Sequence, residues 1–368
     1  MSERFYRWFD RHAVVSEGTA KGLIWNFYEP SRKLGTWVYP MLSAKAVLWF
    51  IKRGDVNRAR VFAEALLPWQ QMKQDGPLAR SYGAFPSKLE QSGDVFTAGT
   101  AYYAGDNLVV VEALSRLYQL TKDFRYLNAA IGTGSWLVEV MSQGHKYGVW
   151  SEDLGAPMFL VTAKGDFVNH VHCQVEALWI RSLELLGGLT GEAAYTRQAA
   201  KAYEFYRKGQ LPSGAYWDHY DPGYPPKPYN ASNWKPYSPG KVISDNVLRA
   251  ALGACRMDDI DSARKFYSWL KPENGAVPAY LNVESGSSGF VTVDDIYYDV
   301  VSCGLLRSLQ QWLGKSAATK IPIQYLKNVQ AKDGGWYWGW KREAGEPVTK
   351  EQAAIVGMWA TADLSSYS

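Results

Sequence analysis

The stretch "SDNVLRAALGACRMDDIDSARKFYSWL", residues 244–270, decides the predicted fold. It begins with a run that is apolar on almost every side, turns through the polar residues 257–259, and continues into a run whose apolar residues recur at helical spacing. A helix that is apolar all round packs inside a protein, whereas an amphipathic helix packs at its surface. The stretch therefore predicts a hairpin of one inner and one outer helix.

The same hairpin pattern recurs along the chain, at residues 43–69, 107–141, 173–206 and 295–329. A sixth hairpin is expected from residues 351–364 together with residues 13–28. Helical hairpins of this kind cannot bury their apolar faces alone, so they stack on one another. The sequence therefore predicts an all-α fold, an (α/α)6 toroid that occupies residues 1–368 as a single domain with long aromatic-rich loops on one face.

Charge and composition narrow the expected partners and location. The chain carries 40 Lys and Arg against 36 Asp and Glu, and it has no basic tract of the kind that follows a phosphate backbone, so nucleic acid is not expected as a partner. The N-terminal residues are charged where a signal peptide is apolar, and no stretch approaches the ~20 apolar residues of a membrane span. Three cysteines in apolar runs, Cys173, Cys255 and Cys303, are typical of reduced thiols, and the protein is expected to be soluble and cytoplasmic.

Polar residues stand at the start of each predicted inner helix. The hairpin turns are short, so the long loops and these starts are expected at the same end of the toroid, around a central cavity. Asp and Asn are also ordinary residues for the first turn of a helix, so helix capping is an alternative reading of any one pair. The residues are Asp106–Asn107, His170 and His172, Asp245–Asn246, Asp294–Asp295 and Glu351–Gln352.

Aromatic residues are concentrated in the long loops. Residues 211–241 contain two Trp and five Tyr beside Asp218 and His219, and a loop of this length in a compact domain is usually functional. Flat rings can stack on the C–H faces of sugars, while Asp, Asn and His bond the hydroxyls. The expected stacking platforms are Trp150, Trp217, Trp234, Trp336 and Trp338. Alternatively, these aromatic side chains pack the long loops onto the helices.

The hairpins with turns such as "LTKDFRYLNAA" and "LTGEAAYTRQAAKAYEF", the polar starts of the inner helices and the Gly-aromatic loops resemble the six-hairpin glycosidase superfamily. That superfamily includes unsaturated glucuronyl hydrolases and the N-acylglucosamine and cellobiose epimerases. The stretch "NHVHCQVEALW", residues 169–179, is similar to the epimerases in placing a His near the start of an inner helix, followed by Glu-Ala. The resemblance covers nearly the whole chain and implies a carbohydrate-active enzyme with an oligosaccharide or polysaccharide substrate.

A second stretch, "YLKNVQAKDGGWYW" at residues 325–338, resembles the repeat of triterpene cyclases, with Gln330 followed by Gly334-x-Trp336. One convincing copy occurs in this chain, whereas a cyclase should carry several. The resemblance implies isoprenoid chemistry as an alternative function.

Glycoside cleavage requires one carboxylic acid to protonate the leaving oxygen and one carboxylate to activate water or act as nucleophile. The expected catalytic carboxylates are Asp106, Asp245, Asp294 and Asp295, with Asp218 as a loop-borne alternative, and Asn107, Asn246, His170, His172 and His219 are expected to orient substrate hydroxyls. No cofactor or metal is expected, since no phosphate loop, nucleophile elbow or zinc motif is found. A sugar epimerase, a polysaccharide lyase and a non-catalytic glycan-binding module remain open as alternatives.

Overall fold

The structure is a computed structural model that describes residues 2–76, 79–139, 148–158, 160–162, 171–172, 175–217, 219–221, 235–236, 241–272, 274–284, 286, 297–341 and 346–366. Its helices are α1 (Ser2–Trp8), α2 (Pro40–Lys52), α3 (Val56–Leu66), α4 (Ala104–Thr121), α5 (Phe124–Val138), α6 (Val175–Trp179), α7 (Arg181–Thr190), α8 (Ala193–Lys208), α9 (Ser244–Arg256), α10 (Ile260–Trp269), α11 (Val300–Trp312), α12 (Lys320–Asn328) and α13 (Ala354–Thr361). A π-helical turn, Phe9–Ala13, continues α1.

The strands are short and lie in the loops between hairpins. They are β1 (Trp25–Glu29), β2 (Leu34–Val38), β3 (Leu89–Ser92), β4 (Val95–Ala98), β5 (Ala101–Tyr103), β6 (Trp150–Ser151), β7 (Ala156–Pro157), β8 (Leu160–Thr162), β9 (Val171–His172), β10 (His219–Asp221), β11 (Lys235–Pro236), β12 (Lys241–Ile243), β13 (Tyr280–Asn282), β14 (Tyr297–Asp299) and β15 (Gly339–Lys341). The strands from β1 to β4 form one antiparallel sheet, and most of the others pair two by two.

The inner helices close into a ring. Helix α2 contacts α4, α4 contacts α6 and α7, α6 contacts α9, α9 contacts α11, and α11 contacts α13, which returns to α2. The outer helices α3, α5, α8, α10 and α12 each follow their inner partner along the chain, and α1 packs on α13 through the ring of Phe5 on Gly357. The predicted (α/α)6 toroid is confirmed.

Burial follows the inner and outer layers. Every residue of α9 is buried, whereas in its partner α10 the buried residues are Ser262, Ala263, Phe266 and Trp269, which lie on one face. This difference is what an all-round apolar run and an amphipathic run predict. Although the inner helices are apolar, none of the helices in the described ranges is long and apolar enough to cross a bilayer.

Acidic residues start four of the five outer helices described, and α12 follows Thr319 without a side-chain cap. Asp55, Asp123, Glu192 and Asp259 are the N-cap residues of α3, α5, α8 and α10, and each side chain accepts a hydrogen bond from a backbone N–H of the first turn. Such caps satisfy donors that the helix itself leaves free. The short polar turns seen in the sequence are therefore the start signals of the outer layer.

Each hairpin is closed at its base by a pair of strands. The strand that leads into the inner helix pairs antiparallel with a strand that follows the outer helix of the same hairpin, as β12 before α9 does with β13 after α10. The pairs are β2 with β3, β5 with β8, β9 with β10, β12 with β13, and β14 with β15. In the sixth unit Gln352, before α13, bridges to Tyr28 in β1. The long loops and the N-termini of the inner helices consequently share one end of the ring.

The N-terminal partner of α13 differs from the expectation. The sequence predicted a helix over residues 13–28, but the helix is α1 with its π-helical turn, and residues 25–29 form β1. Phe5, Trp8 and Phe9 are fully buried at helical spacing, so this face supplies the apolar contact. The predicted run is interrupted by two glycines, which disfavour a helix.

The Gly-aromatic repeat of the loops has a structural role. Gly334 has φ of 106° and lies against the backbone of Arg4 in α1, where a Cβ would come within 2.3 Å of the carbonyl oxygen. Two residues later Trp336 is fully buried. The same step from a positive-φ glycine to a buried side chain occurs in five loops: Gly83 to Phe85, Gly148 to Trp150, Gly214 to Tyr216, Gly275 to Val277 and Gly334 to Trp336.

The cyclase-like motif belongs to the same repeat. The Gln330 amide donates to the Gly334 carbonyl at 2.8 Å, and Gln210 donates to Gly214 at 3.0 Å with the same spacing along the chain. A second copy is thus present, with Tyr216 in place of a tryptophan. The motif anchors loops on the ring and needs no isoprenoid chemistry to explain it.

Contact between inner helices can be tested at Gly304. A Cβ there would lie 2.9 Å from the carbonyl carbon and oxygen of Trp359 in α13, so we expect Gly304→Ala to lower the free energy of unfolding by about 1–3 kcal/mol. Gly188, on α7, has no atom within 4 Å of its Cβ position, and Gly188→Ala should raise stability by up to ~1 kcal/mol. Chemical denaturation of both variants measures this. Equal effects would contradict the described packing of α11 on α13.

Candidate active site

A cavity of about 290 Å³ opens at the loop end of the ring, between the starts of α2 and α4. This end of the ring, where the inner helices begin, is called the mouth below. Its wall includes Tyr39, which precedes α2, and Tyr103 and Asp106 at the start of α4. Lys88 and Glu90 lie on the loop side. The described wall therefore combines charged side chains with the aromatic rings of Tyr39 and Tyr103 at the helix starts.

Six ionisable side chains, carried by or directly preceding five inner helices, gather at this end of the ring, and one of them, Asp106, belongs to the cavity wall. Asp106 is half-buried, and the other five are at most 7% exposed. Their charges act on one another through the low-dielectric centre of the ring, which links them into one electrostatic cluster. The cluster consists of Lys45 on α2, Asp106 on α4, Glu176 on α6, Asp245 and Arg249 on α9, and Asp299 at the start of α11.

Lys45 connects the two halves of the cluster. Burial lowers the pKa of Lys45 to about 7, and the neighbouring positive charge of Arg249 also lowers it, while the carboxylates of Asp106 and Asp245 act in the opposite direction. Asp245 and Arg249 form a buried ion pair of 2.8 Å. Asp106 and Asp245, more than a hundred residues apart in the chain, therefore face the same amine.

The carboxyl groups differ in their pKa. Burial raises the pKa of Asp106 to about 6, although Lys45, a hydrogen bond from Ser87 and Arg249 all favour its charged form. Burial raises the pKa of Glu176 further, to about 8, and the negative charge of Asp106 adds to this rise, while nearby backbone N–H groups oppose it. At neutral pH Glu176 is therefore mostly a neutral acid beside a mostly ionised Asp106.

Asp299 has both a structural and an electrostatic role. Its carboxylate accepts from the backbone N–H of Val301 at 3.1 Å and from the Ser302 hydroxyl at 2.5 Å, so it caps α11. Burial raises the pKa of Asp299 to about 7, and the charge of Asp245 raises it too, against the effect of its hydrogen bonds and of Arg249.

Helix capping does not explain the two Asp–Asn pairs. The N-cap residues of α4 and α9 are Tyr103 and Ile243, and neither helix has a side-chain cap. Asp106 and Asp245 lie within the first turn of their helices, after the N-cap residue, where their charge interacts favourably with the helix dipole. The structure brings both carboxylates into the cluster.

Asn107 has a different role from the one expected. Its amide is fully buried, accepts from the backbone N–H of Phe85 at 2.7 Å, and donates to the carbonyls of Phe85 and Tyr103. Both amide N–H groups are therefore used to hold the loop after α3 against α4, and the side chain is closed off from a substrate hydroxyl by its burial. Asn246, beside Asp245, is buried at 8% exposure.

The predicted stacking platforms divide into two groups. Trp150 and Trp336 are fully buried as part of the Gly-aromatic repeat, so neither has a free face for a sugar ring, and the expectation for them is wrong on that ground. Trp217 and Trp338 are partly exposed. The backbones of His172 and His219 pair with each other between β9 and β10, and their side chains lie outside the described part. His170, Asp218, Trp234, Asp294 and Asp295 lie outside the described residues.

Four members of the cluster were missed by the sequence analysis: Lys45, Glu176, Arg249 and Asp299. Their common signal was available, since each is a charged residue inside or directly before an otherwise apolar inner helix, where charges are rare unless paired or functional. Arg249 also stands four residues after Asp245, the spacing of an ion pair on a helix. Across the described ranges, no three His, Cys, Asp or Glu side chains are arranged to hold a metal ion.

Comparisons with known proteins agree with the fold. No family model matches the sequence. No curated protein matches it either. Solved structures do match over almost the full length of the chain. A cellobiose 2-epimerase from Bacillus thermoamylovorans matches with a TM-score of 0.68 and 10% identity, over 97% of this chain and 95% of that chain. An alpha-amylase from Clostridium perfringens matches with a TM-score of 0.67 and 14% identity, over 98% of this chain and 95% of that chain, and an endo-beta-1,4-glucanase from Acetobacter xylinum with a TM-score of 0.62 and 11% identity, over 99% of this chain and 97% of that chain. The resemblance to six-hairpin toroids is thus confirmed as a likeness of fold.

The raised pKa of Glu176 can be tested through stability. In the unfolded chain this carboxyl ionises near its usual 4.5, whereas in the folded protein it holds its proton to about pH 8. The stability that the protonated carboxyl contributes is fully present below pH 4.5. Between pH 4.5 and about 8 the free energy of unfolding falls by about 1.4 kcal/mol per pH unit, because only the folded protein keeps this proton. We therefore expect Glu176→Gln to gain stability relative to wild type across this window, as measured by urea denaturation at several pH values.

The matched control is Glu152→Gln, because Glu152 is an exposed glutamate in a surface ion pair with Lys201. Its difference from wild type should stay nearly flat with pH. Parallel stability curves for wild type and Glu176→Gln would contradict a raised pKa at Glu176.

Proposed function

We propose that this chain is a carbohydrate-active enzyme that cleaves a glycosidic bond in an oligosaccharide or polysaccharide by carboxylate acid/base catalysis. The observation that carries the proposal is a pair of interacting carboxyl groups: Asp106 lies in the cavity wall with a pKa raised to about 6, and Glu176 is buried with a pKa raised to about 8. Glycoside cleavage needs such a division, with one protonated and one ionised carboxyl group. The fold shared with an amylase and a glucanase supports the same class of substrate.

The two carboxyl groups have distinct roles in this mechanism. Glu176, neutral at pH 7, donates its proton to the leaving glycosidic oxygen. Asp106, ionised above about pH 6 and part of the cavity wall, activates water or attacks the sugar carbon. If Asp106 activates water, it holds that water's proton after the step, and return of this proton to Glu176, whose pKa is higher, resets the site. If Asp106 attacks the sugar carbon, the ionised Glu176 takes its proton from the water that hydrolyses the glycosyl ester, which releases Asp106.

The remaining charges of the cluster position this pair. The ion pair of Asp245 with Arg249 and the amine of Lys45 compensate Asp106, so that its charge can be held away from bulk water. Further contributions from the mouth are proposed on the sequence pattern alone. These are Asp218, Asp294 and Asp295 as carboxylates, Asn246, His170, His172 and His219 as hydroxyl-binding groups, and Trp217, Trp234 and Trp338 as stacking rings.

The alternatives without sugar chemistry fit less well. An isoprenoid cavity would be lined by apolar rings, whereas the described wall carries Asp106, Lys88 and Glu90. A binding module would gain nothing from desolvating Glu176 and Asp299, which costs stability. Strongly shifted carboxyl groups in a cleft are typical of catalysis.

Sugar epimerisation or isomerisation is a second candidate, favoured by Lys45. An amine whose pKa is lowered to about 7 can exchange a proton near neutral pH, as removal of a hydrogen next to a sugar carbonyl requires. The structures with the same fold include a cellobiose 2-epimerase and a D-mannose isomerase. In this mechanism the negative charges of Asp106 and Asp245 raise the pKa of Lys45 against the effect of burial, so that the amine can be protonated near neutral pH.

Hydrolysis can be tested with single carboxylate variants on a panel of oligosaccharides that includes uronic acids. We expect Glu176→Gln and Asp106→Asn each to lower kcat by about a hundredfold or more, because each removes one half of the acid/base pair. Asp245→Asn should also lower it by releasing Arg249. The wild-type rate should show a bell-shaped pH profile with limbs near 6 and 8.

The control is Asp261→Asn, since Asp261 is 86% exposed on α10, far from the mouth. It should keep wild-type activity. Full activity in both Glu176→Gln and Asp106→Asn would rule out the proposed pair.

Hydrolysis and epimerisation are distinguished by labelling in deuterated water. An epimerase or isomerase that uses Lys45 as base should incorporate deuterium at the carbon next to the carbonyl, and Lys45→Met should abolish the label. A hydrolase leaves carbon-bound hydrogens unexchanged. Product analysis by mass spectrometry and NMR after incubation with cellobiose and D-mannose measures this. Labelled product would replace the hydrolytic proposal with the second candidate.

A further inference from the structure

Trp37 is an exposed tryptophan at the edge of the candidate site. It lies in β2, two residues before Tyr39, which is the N-cap residue of α2 and forms part of the cavity wall. Its side chain is 51% exposed, unlike the buried Trp150 and Trp336. An indole left half in water beside a cavity is a candidate binding surface.

The backbone of Trp37 is held in an unfavourable conformation. Its φ is 57°, in the left-handed region that bulky residues rarely adopt. The strand pairing of β1 with β2 includes Trp25 with Val38 and Phe27 with Thr36 and omits the position between them. Regular pairing between β1 and β2 is therefore interrupted at Trp37, where the indole is exposed. Strain of this kind, kept by the surrounding structure, is often found at ligand sites.

Trp37 belongs to a row of aromatic rings, here named the rim strip, that consists of Trp37, Phe27 and Trp338. Phe27 meets Trp37 edge-on at 6.1 Å and Trp338 edge-on at 5.8 Å. Trp338 lies at the base of α11, where its carbonyl accepts from the Val300 N–H. The rim strip therefore runs along the mouth from the start of α11 towards the start of α2.

Lys88 joins the rim strip to the cavity. Its ammonium group lies 5.1 Å from the centre of the Trp37 ring, and the same residue is part of the cavity wall with Asp106. Lys88, whose ammonium group also lies 4.0 Å from the Glu90 carboxylate, thus contacts both the aromatic surface and the cavity that Asp106 lines. A ligand that starts at Asp106 and leaves the cavity past Lys88 reaches Trp37.

We propose that Trp37, supported by the rim strip, stacks on a sugar unit outside the cavity, so that the substrate is an oligosaccharide or polysaccharide chain rather than a monosaccharide. The proposal rests on the carbohydrate activity proposed above. The cavity, at about 290 Å³, is at the lower end for small-molecule pockets, so further units of a chain must lie outside it. Sugar rings carry C–H groups on their faces, which pack on an indole, and hydroxyls at their edges, which a lysine can bind.

The test compares variants on substrates of increasing length. Trp37→Asn removes the indole, and Asn tolerates the left-handed backbone, so the variant should fold and melt at or above the wild-type temperature. We expect KM for oligosaccharides to rise about tenfold with kcat unchanged, while an aryl glycoside of a single sugar is turned over as by wild type. Phe124→Ala is the control, because Phe124 is 63% exposed at the start of α5, at the opposite end of the ring.

An equal loss on short and long substrates, or no loss on either, would overturn the role of Trp37. Failure of the proposed function gives a different result, namely no turnover of any sugar by wild type. In that case calorimetric titration with the same unmodified oligosaccharides tests the role of Trp37 separately, because it measures binding without turnover. Tighter binding of longer chains by wild type, lost in Trp37→Asn, supports the platform, and length-independent binding or none contradicts it.

Discussion

Closure of the inner helices into a ring is the constraint on which the rest of this structure depends. Helices such as α9 are buried on every side and cannot face water, so each must be covered by its neighbours, and the contact of α13 with α2 completes the cover. Closure also brings the N-termini of the inner helices to one end. The strand pairs at the hairpin bases hold the loops at that same end.

The chemistry follows from what the ring encloses. Carboxylates near helix N-termini are favoured by the helix dipole, but burial at the centre of the ring makes their charge costly. Lys45 and Arg249 offset this cost for Asp106 and Asp245, whereas Glu176 has no ion-pair partner among the described cations and stays protonated. One fold thus gives two similar side chains different pKa values.

The layered toroid could be predicted from sequence because its signal is periodic and repeated: apolar runs, polar turns and amphipathic runs alternate along the chain. Asp106 and Asp245 could be placed at the mouth for the same reason. The exposure of individual tryptophans could not, because Trp336 and Trp338 lie two residues apart and differ in their tertiary contacts. Trp336 packs on Phe5 of α1 and donates to the Leu326 carbonyl, whereas Trp338 lies edge-on to Phe27 and is partly exposed. Lys45 was missed because a single lysine in an apolar run is outweighed by its neighbours in any pattern of hydrophobicity. Its importance depends on Asp245, two hundred residues further along.

The different protonation of Glu176 and Asp106 is the central claim, and infrared difference spectroscopy of carboxyl groups during a pH titration tests it most directly. We expect a protonated carboxyl band that disappears with a midpoint near pH 8 in the wild-type protein and is missing from Glu176→Gln, and a second band with a midpoint near 6 that is missing from Asp106→Asn. Loss of both bands together below pH 5 would show that the ring does not separate the two carboxyl groups, and would contradict the proposed mechanism.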